Sequence, residues 1–268
     1  MILKYTLSGY LYISPEDNCH AIVDAMLATE YMEDFCIAGN VVTNTEGFDA
    51  EFTAKLMEAG FLIMSANLNE ENAEPCYIML PKLHTVRSAL FYENLHVKKS
   101  IRRLLNKYEL KADADFDYII DRCVQKHGSD WLTPPLVKCI KQIRKNAKTK
   151  LSSDQNYNPK HPALFSQTST PYAYPASFAL YRNGEFAAGE FGVVCGNVYT
   201  SYSGFYEEHN AGTVQLIHTA WYLQNHGFSF FDLGMPMNYK ADLGALDIYP
   251  DEFVKLFRGT VINGEIAD

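Results

Sequence analysis

The stretch between residues 176 and 232 constrains the fold more than any other part of the chain. It contains three runs rich in β-branched and aromatic residues, which are typical of strands: Ala176–Tyr181, Phe186–Val194 and Val198–Phe205. Asn183-Gly184 between the first two is a strong hairpin signal. A helical pattern then ends at Gly227, and the short apolar run Phe228–Phe231 stops at Asp232. The order strand, strand, strand, helix, strand predicts a mixed sheet with a helix packed on it.

The rest of the chain predicts an α+β fold in two parts. Residues 1–80 contain a helical pattern that ends near Gly60 and two short strand-like runs, which indicate a small N-terminal α+β domain. Residues 81–268 form the second domain. In it a strand-like start at Ala89–Tyr92 precedes a helix with Ile101 on its apolar side, and two more amphipathic helices follow. Residues 146–172 are rich in Asn, Ser, Thr, Lys and Pro and predict a loop or insertion.

Composition narrows the class of protein. The chain has 268 residues and 47% hydrophobic residues, enough for a substantial core. No apolar run of about 18 residues and no signal peptide are visible, so we expect a cytoplasmic protein that does not span a membrane. Six scattered cysteines predict free thiols, and the eight histidines lack metal-binding spacing. We expect no metal, no cofactor and a monomer.

One basic segment stands out in a chain whose formal net charge is −9. Five positive charges occur within ten residues, and they are predicted to lie on a helix: Lys98, Lys99, Arg102, Arg103 and Lys107. The overall charge argues against a protein that binds nucleic acid through its whole surface. A local patch of this kind fits the phosphates of a small RNA, although a solvated helix face is the ordinary alternative.

These pieces together resemble the leucyl/phenylalanyl-tRNA–protein transferase family. The matching stretches lie in the family's order between residues 35 and 258: "ENLHVKKSIRRL", "WLTPPLVKCI", "GEFGVVCGNVYTSYSGFY", "NAGTVQL", "FFDLG" and "ADLGALDI". The resemblance implies an acetyltransferase (GNAT-like) fold for the second domain. It also implies transfer of Leu or Phe from aminoacyl-tRNA to the N-terminus of an acceptor protein, which marks that protein for degradation.

The resemblance also implies site residues. Asp232, Ser203 and possibly the neighbouring Tyr202 match positions at the family's reacting centre, and the basic segment coincides with the family's tRNA-binding helix. The side chain of the transferred amino acid would lie in an apolar pocket: Trp131, Phe205, Leu216, Thr219 and Leu223. From the residues alone, Asp232 could equally cap a turn and the pocket residues could be ordinary core.

Several family positions are changed in this chain. The family's Gly-Glu-Ser-Met-Phe-Ser run stands here as residues 201–206, so that Tyr202 replaces its glutamate. The family's Asp-x-Gln reads Asp232-Leu233-Gly234. Two alternatives therefore remain open. One is an N-acyltransferase that uses acyl-CoA, although Glu207 and Glu208 would repel its phosphates. The other is a relative that binds tRNA or peptide without catalysis.

Overall fold

A computed structural model describes residues 3–29, 35–69, 73–152 and 170–262. The backbone forms two sheets with helices packed on them, and the α+β class expected from the sequence is confirmed. The structure does not decide whether the second part is GNAT-like, so that assignment stays a prediction.

The first sheet has five strands in the order β1-β2-β3-β5-β4. Their bounds are β1 (Lys4–Tyr5), β2 (Leu11–Ile13), β3 (Ile37–Val42), β4 (Leu62–Asn67) and β5 (Tyr77–Lys82). Two helices belong to this part of the chain: α1 (Cys19–Leu27) and α2 (Ala50–Glu58). The Asn18 side chain caps α1 and the Asp49 side chain caps α2, since each accepts hydrogen bonds from free backbone N–H groups of the first turn.

The second sheet has seven strands in the order β12-β6-β11-β10-β9-β8-β7. Their bounds are β6 (Arg87–Leu90), β7 (Glu109–Ala112), β8 (Thr170–Arg182), β9 (Glu185–Gly196), β10 (Val198–Tyr206), β11 (Phe230–Asp232) and β12 (Leu246–Ile248). The helices of this part are α3 (Lys99–Arg102), α4 (Phe116–His127), α5 (Pro134–Ser152), α6 (Ala211–Asn225), α7 (Asn238–Asp242) and α8 (Pro250–Ile262).

The predicted meander is confirmed as β8, β9 and β10, followed by α6 and β11. Asn183 and Gly184 have φ of 52° and 87° and join β8 to β9, as the hairpin signal predicts. Strand β11 lies parallel to β10, and their last paired residues are Thr200 and Asp232. Beyond this pair β10 continues to Tyr206 against β9 alone, so the two parallel strands separate there. We call the place where β10 and β11 separate, directly after Thr200 and Asp232, the fork.

The seven-stranded sheet separates two cores. Helix α6 packs on one face, where Tyr199 and Phe231 are buried. Helices α2, α4, α5 and α8 pack on the other face, where Val198 and Phe230 are buried in a cluster that also contains Ile63 of the first sheet. Because this second cluster includes residues of both sheets, the two parts of the chain share a hydrophobic core. The division into domains at residue 80 stays a prediction.

Two predicted elements are wrong in their bounds. The basic segment is no continuous helix, because α3 has four residues and a separate 3-10 turn follows at Leu105–Lys107. Only Ile101 of its apolar side is buried, and the chain turns to enter β7 at the sheet edge. The expected loop at 146–172 is also shorter, since α5 continues to Ser152 and β8 begins at Thr170. Residues 153–169 lie outside the described residues.

Candidate functional site

Asp232 ends β11 at the fork, and its carboxylate is fully buried and completely bonded. Arg87 of β6 donates to it twice, from Nε to Oδ1 at 3.0 Å and from Nη2 to Oδ2 at 2.7 Å. Thr200 Oγ1 donates to Oδ2 at 2.8 Å, and the Gly234 backbone N–H donates to Oδ1 at 2.9 Å. Although burial raises the pKa of this carboxyl, the Arg87 charge and these hydrogen bonds outweigh burial and hold the pKa below its ordinary value.

Arg87 was not identified by sequence reasoning. Its side chain is 2% exposed, and its guanidinium lies 4.3 Å from the centre of the Phe253 ring of α8. Nη1 has no hydrogen-bond partner among the described residues. The cavity beside Arg87 and Thr200 has a volume of about 10 Å³, roughly enough for one water molecule. No aminoacyl group or peptide fits there.

This geometry bears on the predicted role of Asp232. A base needs a free lone pair directed at its substrate, whereas both oxygens of Asp232 already accept hydrogen bonds inside the sheet. The sequence correctly selects Asp232 as a special residue at a strand end. Contact between Asp232 and a substrate stays a prediction, and the structure favours a role in which the Arg87–Asp232 pair fixes the strands at the fork.

Tyr202 and Ser203 follow the fork on β10. The pairing with β9 shifts between Ser201 and Ser203, which makes Tyr202 the extra residue of a β-bulge. Its hydroxyl accepts a hydrogen bond from the Ile63 backbone N–H at 3.3 Å, and burial raises its pKa. The Ser203 hydroxyl bonds to the Cys123 thiol of α4. Both side chains therefore point away from α6, and neither is free to act as a base.

Glu190 of β9 is a buried carboxyl that sequence reasoning missed. It is 2% exposed, it lies opposite Gly204 of β10, and its Oε2 accepts a hydrogen bond from Ser201 Oγ at 2.8 Å. Oε1 accepts no hydrogen bond from any described residue, although Thr219 and Gln215 of α6 lie close enough to favour the charged form. Burial dominates and raises the pKa of Glu190 to about 7.

Lys240 of α7 is a second buried ionisable residue near the fork. Its Nζ donates to the Leu233 carbonyl at 2.5 Å and to the Met235 carbonyl at 2.7 Å, so it holds the loop that follows β11. Burial lowers the pKa of Lys240 to about 8, while the charges of Asp232 and Glu190 oppose this shift. Met235 of this loop and Tyr239 of α7 are about half exposed, at 53% and 52%. The fork therefore combines buried charge with an accessible apolar surface.

The five predicted pocket residues do not lie together. Leu223 and Thr219 are residues of α6 that are buried against the sheet, and Leu216 of the same helix is partly buried at the edge of that core. Phe205 lies on the opposite face of the sheet and stacks on Phe186 at 5.6 Å. Trp131 lies elsewhere again, beside the first sheet, where its carbonyl accepts a hydrogen bond from the Ser65 backbone N–H. The structure therefore does not bring all five together, since Phe205 faces the core opposite to that of α6, and the amino-acid pocket stays a prediction.

The five predicted tRNA-binding residues remain together despite the broken helix. All five side chains are exposed. Lys98 Nζ forms an ion pair with Asp242 of α7 at 2.5 Å, and the His96 backbone N–H donates to the Leu243 carbonyl. The basic segment therefore lies directly beside α7, whose Lys240 holds the loop at the fork. An RNA bound to these residues would have its phosphates next to the fork.

A second basic row was not predicted. Helix α5 carries three lysines at helical spacing along a surface groove of about 630 Å³ between α4 and α5: Lys138, Lys141 and Lys145. Lys141 is paired with both Asp117 and Asp121 of α4. Acidic neighbours thus cancel part of the charge of this groove, whereas Lys98 is the one member of the basic segment with a described ion pair.

Several sequence expectations concern whole classes of site. All six cysteines are free thiols, as expected. Within the described ranges, no group of three or more His, Cys, Asp and Glu residues could hold a metal ion. Among the helices of that same part of the chain, none combines the length and apolarity needed to cross a membrane.

Comparisons with known proteins find similarity to one family. The family model described as leucyl/phenylalanyl-tRNA protein transferase matches residues 164–258. The leucyl/phenylalanyl-tRNA–protein transferase of Campylobacter lari is 25% identical over 175 residues, which cover 65% of this chain and 69% of the relative. That of Chromobacterium violaceum is 24% identical over 180 residues, which cover 65% of this chain and 66% of the relative.

Solved structures resemble the chain only weakly. L-PGS from Bacillus licheniformis has a TM-score of 0.35 and 9% identity over 98% of this chain and 90% of its own. A likeness of this size supports no argument about fold or activity. The family match and the sequence relatives carry the comparison.

Proposed function

We propose that the chain is a divergent member of the leucyl/phenylalanyl-tRNA–protein transferase family and that it transfers an amino acid from aminoacyl-tRNA to the N-terminal amine of an acceptor protein. The observation that carries the proposal is the contact between the basic segment and α7 at the Lys98–Asp242 ion pair. This contact joins the exposed basic segment to the helix that carries Lys240, and it supports the proposal that phosphates bind near the buried ionisable groups of the fork.

The proposed reaction suits such a site. The ester of an aminoacyl-tRNA is already activated, so the protein has to align the amine with the carbonyl and assist proton transfer. No covalent nucleophile is needed. The names of the relatives make leucine and phenylalanine the first donors to test, and degradation of the acceptor protein is the proposed consequence of their transfer.

The acyl-CoA alternative has weaker support at the start of α6. Both glutamates of this segment are engaged with cations there: Glu207 pairs with Arg122, and Glu208 accepts from Arg182 at 2.7 Å. A pyrophosphate at this helix start would have to displace those carboxylates or lie against them.

Transfer of radiolabelled Leu, Phe and Met from charged tRNA to peptides with different N-terminal residues tests the proposal. We expect label on the peptide from at least one donor, and no label when the peptide amine is acetylated. Absence of transfer from every donor, together with salt-sensitive tRNA binding, would indicate a non-catalytic relative. Absence of both transfer and tRNA binding would contradict the proposal, and acyl-CoA donors would be tested next.

The basic segment makes a separate prediction about tRNA binding. The double substitution Lys99→Glu and Arg103→Glu should weaken tRNA binding by at least about 10-fold at low salt. It should also reduce the slope of the logarithm of the binding constant against the logarithm of the salt concentration, because a protein that neutralises fewer phosphates releases fewer counterions. Filter binding across a salt series measures both effects. Neither side chain has a described contact within the protein, so the fold should be unaffected.

Helix α5 supplies the matched control. Lys138→Glu with Lys145→Glu changes the net charge by the same amount on a different surface. We expect this variant to bind tRNA within about 2-fold of the unmodified protein, since screening limits a charge to a range of about 10 Å at 0.1 M salt. Equal weakening by both variants would show that overall charge, and not the basic segment, determines binding.

A further inference from the structure

We propose that Ser201 and Glu190 form a proton-transfer pair at the fork, in which Ser201 touches the reacting amine and Glu190 acts through Ser201. This inference rests on the proposed aminoacyl transfer and adds a group that accepts the proton of the attacking amine. Ser201 is then a catalytic residue and Glu190 a buried positioning residue.

The position of Ser201 supports its role as the residue that touches the reacting amine. It directly follows Thr200, the last residue of β10 that is paired with β11, so it is the first residue beyond the fork. Its side chain is half-buried, whereas Glu190 is 2% exposed. The 2.8 Å hydrogen bond from Ser201 Oγ to Glu190 Oε2 connects the accessible edge of β10 to the buried carboxyl. Ser201 is therefore the more accessible member of the pair, and its hydroxyl is in direct contact with the buried carboxyl.

The environment of Glu190 supports its role as the group that accepts the proton from Ser201. Buried polar atoms nearly always have hydrogen-bond partners, and an exception calls for an explanation. Oε1 of Glu190 is such an exception within the described part of the chain. A desolvated carboxylate binds a proton more readily than a solvated one, and burial outweighs the opposing effect of the Thr219 and Gln215 side chains, which act as hydrogen-bond donors to Glu190. Its pKa, raised to about 7, lies near neutral pH, where a general base is most effective.

The groups that face Glu190 come from four elements and include few charges. Those on its own face of the sheet are Tyr199 and Ser201 of β10, Gln215 and Thr219 of α6, and Tyr239 and Lys240 of α7, and Cys123 of α4 interacts with it electrostatically from the other face. Lys240 is the cation of this set, and its charge lowers the pKa of Glu190. Burial raises the pKa of both the Tyr239 phenol and the Cys123 thiol, so they stay neutral near pH 7.

Asp232 cannot act as the proton acceptor, because its oxygens are already occupied by hydrogen bonds. Its two oxygens accept hydrogen bonds from Arg87, Thr200 and the Gly234 backbone, and its pKa is lowered. A carboxyl of that kind is a weak base at neutral pH. Glu190 differs from Asp232 because it has no arginine partner among the described residues and its pKa is raised. The charges of both carboxyls act on Lys240.

The proposed step balances in atoms and charge. The neutral amine of the acceptor attacks the ester carbonyl carbon, and a C–N bond forms. The amine proton passes to Ser201 Oγ while the hydroxyl proton of Ser201 passes to the Glu190 carboxylate. The C–O bond to the ribose of the tRNA then breaks, and the departing ribose oxygen takes the proton back through Ser201. The products are an amide and free tRNA, and both residues return to their initial states.

The test is single-turnover transfer between pH 5.5 and 8.5 with saturating charged tRNA. The unmodified protein should show a rate that rises with an apparent pKa near 7, in addition to the titration of the acceptor amine. Glu190→Gln and Ser201→Ala should each lower the rate by about 100-fold or more. Both variants should lose the rise near pH 7, keep the amine titration and bind tRNA normally.

Each outcome has a defined meaning. A variant with the normal rate and an unchanged pH profile would overturn the proton-transfer pair while the proposed function stands. A slow variant that keeps the rise near pH 7 would also overturn it, since Glu190 would then affect only packing. Absence of transfer by the unmodified protein with every donor would instead contradict the proposed function. Circular dichroism of each variant confirms that the fold is retained.

Discussion

Replacement of Asp232 by asparagine is expected to lower the free energy of unfolding by about 3–5 kcal/mol, the usual cost of breaking a buried ion pair from one side. The substitution leaves the Arg87 guanidinium buried without its counter-ion, and Arg87 Nη1 already has no hydrogen-bond partner in the described part of the chain. It also replaces an acceptor of the Gly234 N–H or the Thr200 hydroxyl with an NH₂ group. Urea denaturation at pH 7 measures the effect.

The loss of stability in Asp232→Asn should depend on pH in a defined direction. The folded-state pKa of Asp232 is lowered, so its contribution to stability is present above the unfolded pKa of about 4 and is lost as pH falls through the folded value. The difference between the unmodified protein and Asp232→Asn should therefore be largest near neutral pH and shrink in acid. Fluorescence-monitored unfolding at pH 7 and pH 3.5 follows that change.

Asp242→Asn is the matched control for Asp232→Asn. Asp242 also forms an ion pair, with Lys98, but its side chain is 60% exposed and that of Lys98 is 54% exposed. Exposed pairs contribute about 0–1 kcal/mol, so this control should stay near the unmodified stability. If Asp232→Asn also kept normal stability while transfer was lost, the structural role would be wrong, and Asp232 would act directly on the substrate as the sequence predicts.

The meander and the helix that follows it could be predicted because their signals are local. The Asn183-Gly184 turn, the β-branched runs and the stop at Gly227 each depend on neighbours within a few residues. The same local reasoning failed for the basic segment. Apolar residues recur there at helical spacing and pack on the core, but Ile101 alone of them is fully buried, and the segment forms one turn of α-helix and a separate 3-10 turn.

Asp232 shows what a sequence cannot reveal about a site. Its place at the end of a buried strand identifies it as unusual, but its partner Arg87 is 145 residues away in the chain. The partner decides whether the carboxylate is a base or a fixed anion. Nothing in the spacing of Arg87 marks it as buried, because arginine is normally a surface residue.

Glu190 was missed for a related reason. It lies inside the strand-forming stretch "GEFGVV", where a carboxylate is expected to face solvent. Helix α6 covers that face of the sheet, and the opposing residue is Gly204, which stands where the family's run has methionine. A Cβ at Gly204 would lie 3.1 Å from the Glu190 Cβ, so a larger residue there would crowd the carboxyl. This chain has Tyr202 where the resemblance implies a glutamate, and it has the buried Glu190 on the adjacent strand.

Replacement of Glu190 by glutamine is expected to change stability in the opposite direction to Asp232→Asn. The pKa of Glu190 is raised from the ordinary 4.5 to about 7 in the folded protein. Between those values the folded state holds a proton that the unfolded state has lost, so stability falls as pH rises from about 4.5 to about 7. Each pKa unit corresponds to about 1.4 kcal/mol, so the total loss is about 3 kcal/mol.

Glutamine keeps the shape of the protonated acid and does not ionise, so Glu190→Gln avoids this loss. We expect it to raise the free energy of unfolding by up to about 3 kcal/mol at pH 8 and to leave it nearly unchanged at pH 4. Urea denaturation at the two pH values tests the prediction, and Glu185→Gln, at an exposed position of the same strand, is the control. Equal stability of Glu190→Gln and the unmodified protein at pH 8 would mean that Glu190 is solvated or paired in solution.

The stability result also informs the proposed chemistry. A buried carboxylate that costs the folded protein about 3 kcal/mol at pH 8 would be removed readily by substitution unless it has a use. If Glu190→Gln is more stable than the unmodified protein and transfers amino acids far more slowly, the charge serves the reaction at the expense of the fold. If it is more stable and fully active, the buried charge remains a cost of folding and the catalytic proton goes elsewhere. Stability and transfer measured on the same two variants, Glu190→Gln and Asp232→Asn, therefore separate the carboxyl that holds the fork together from the one proposed to work there.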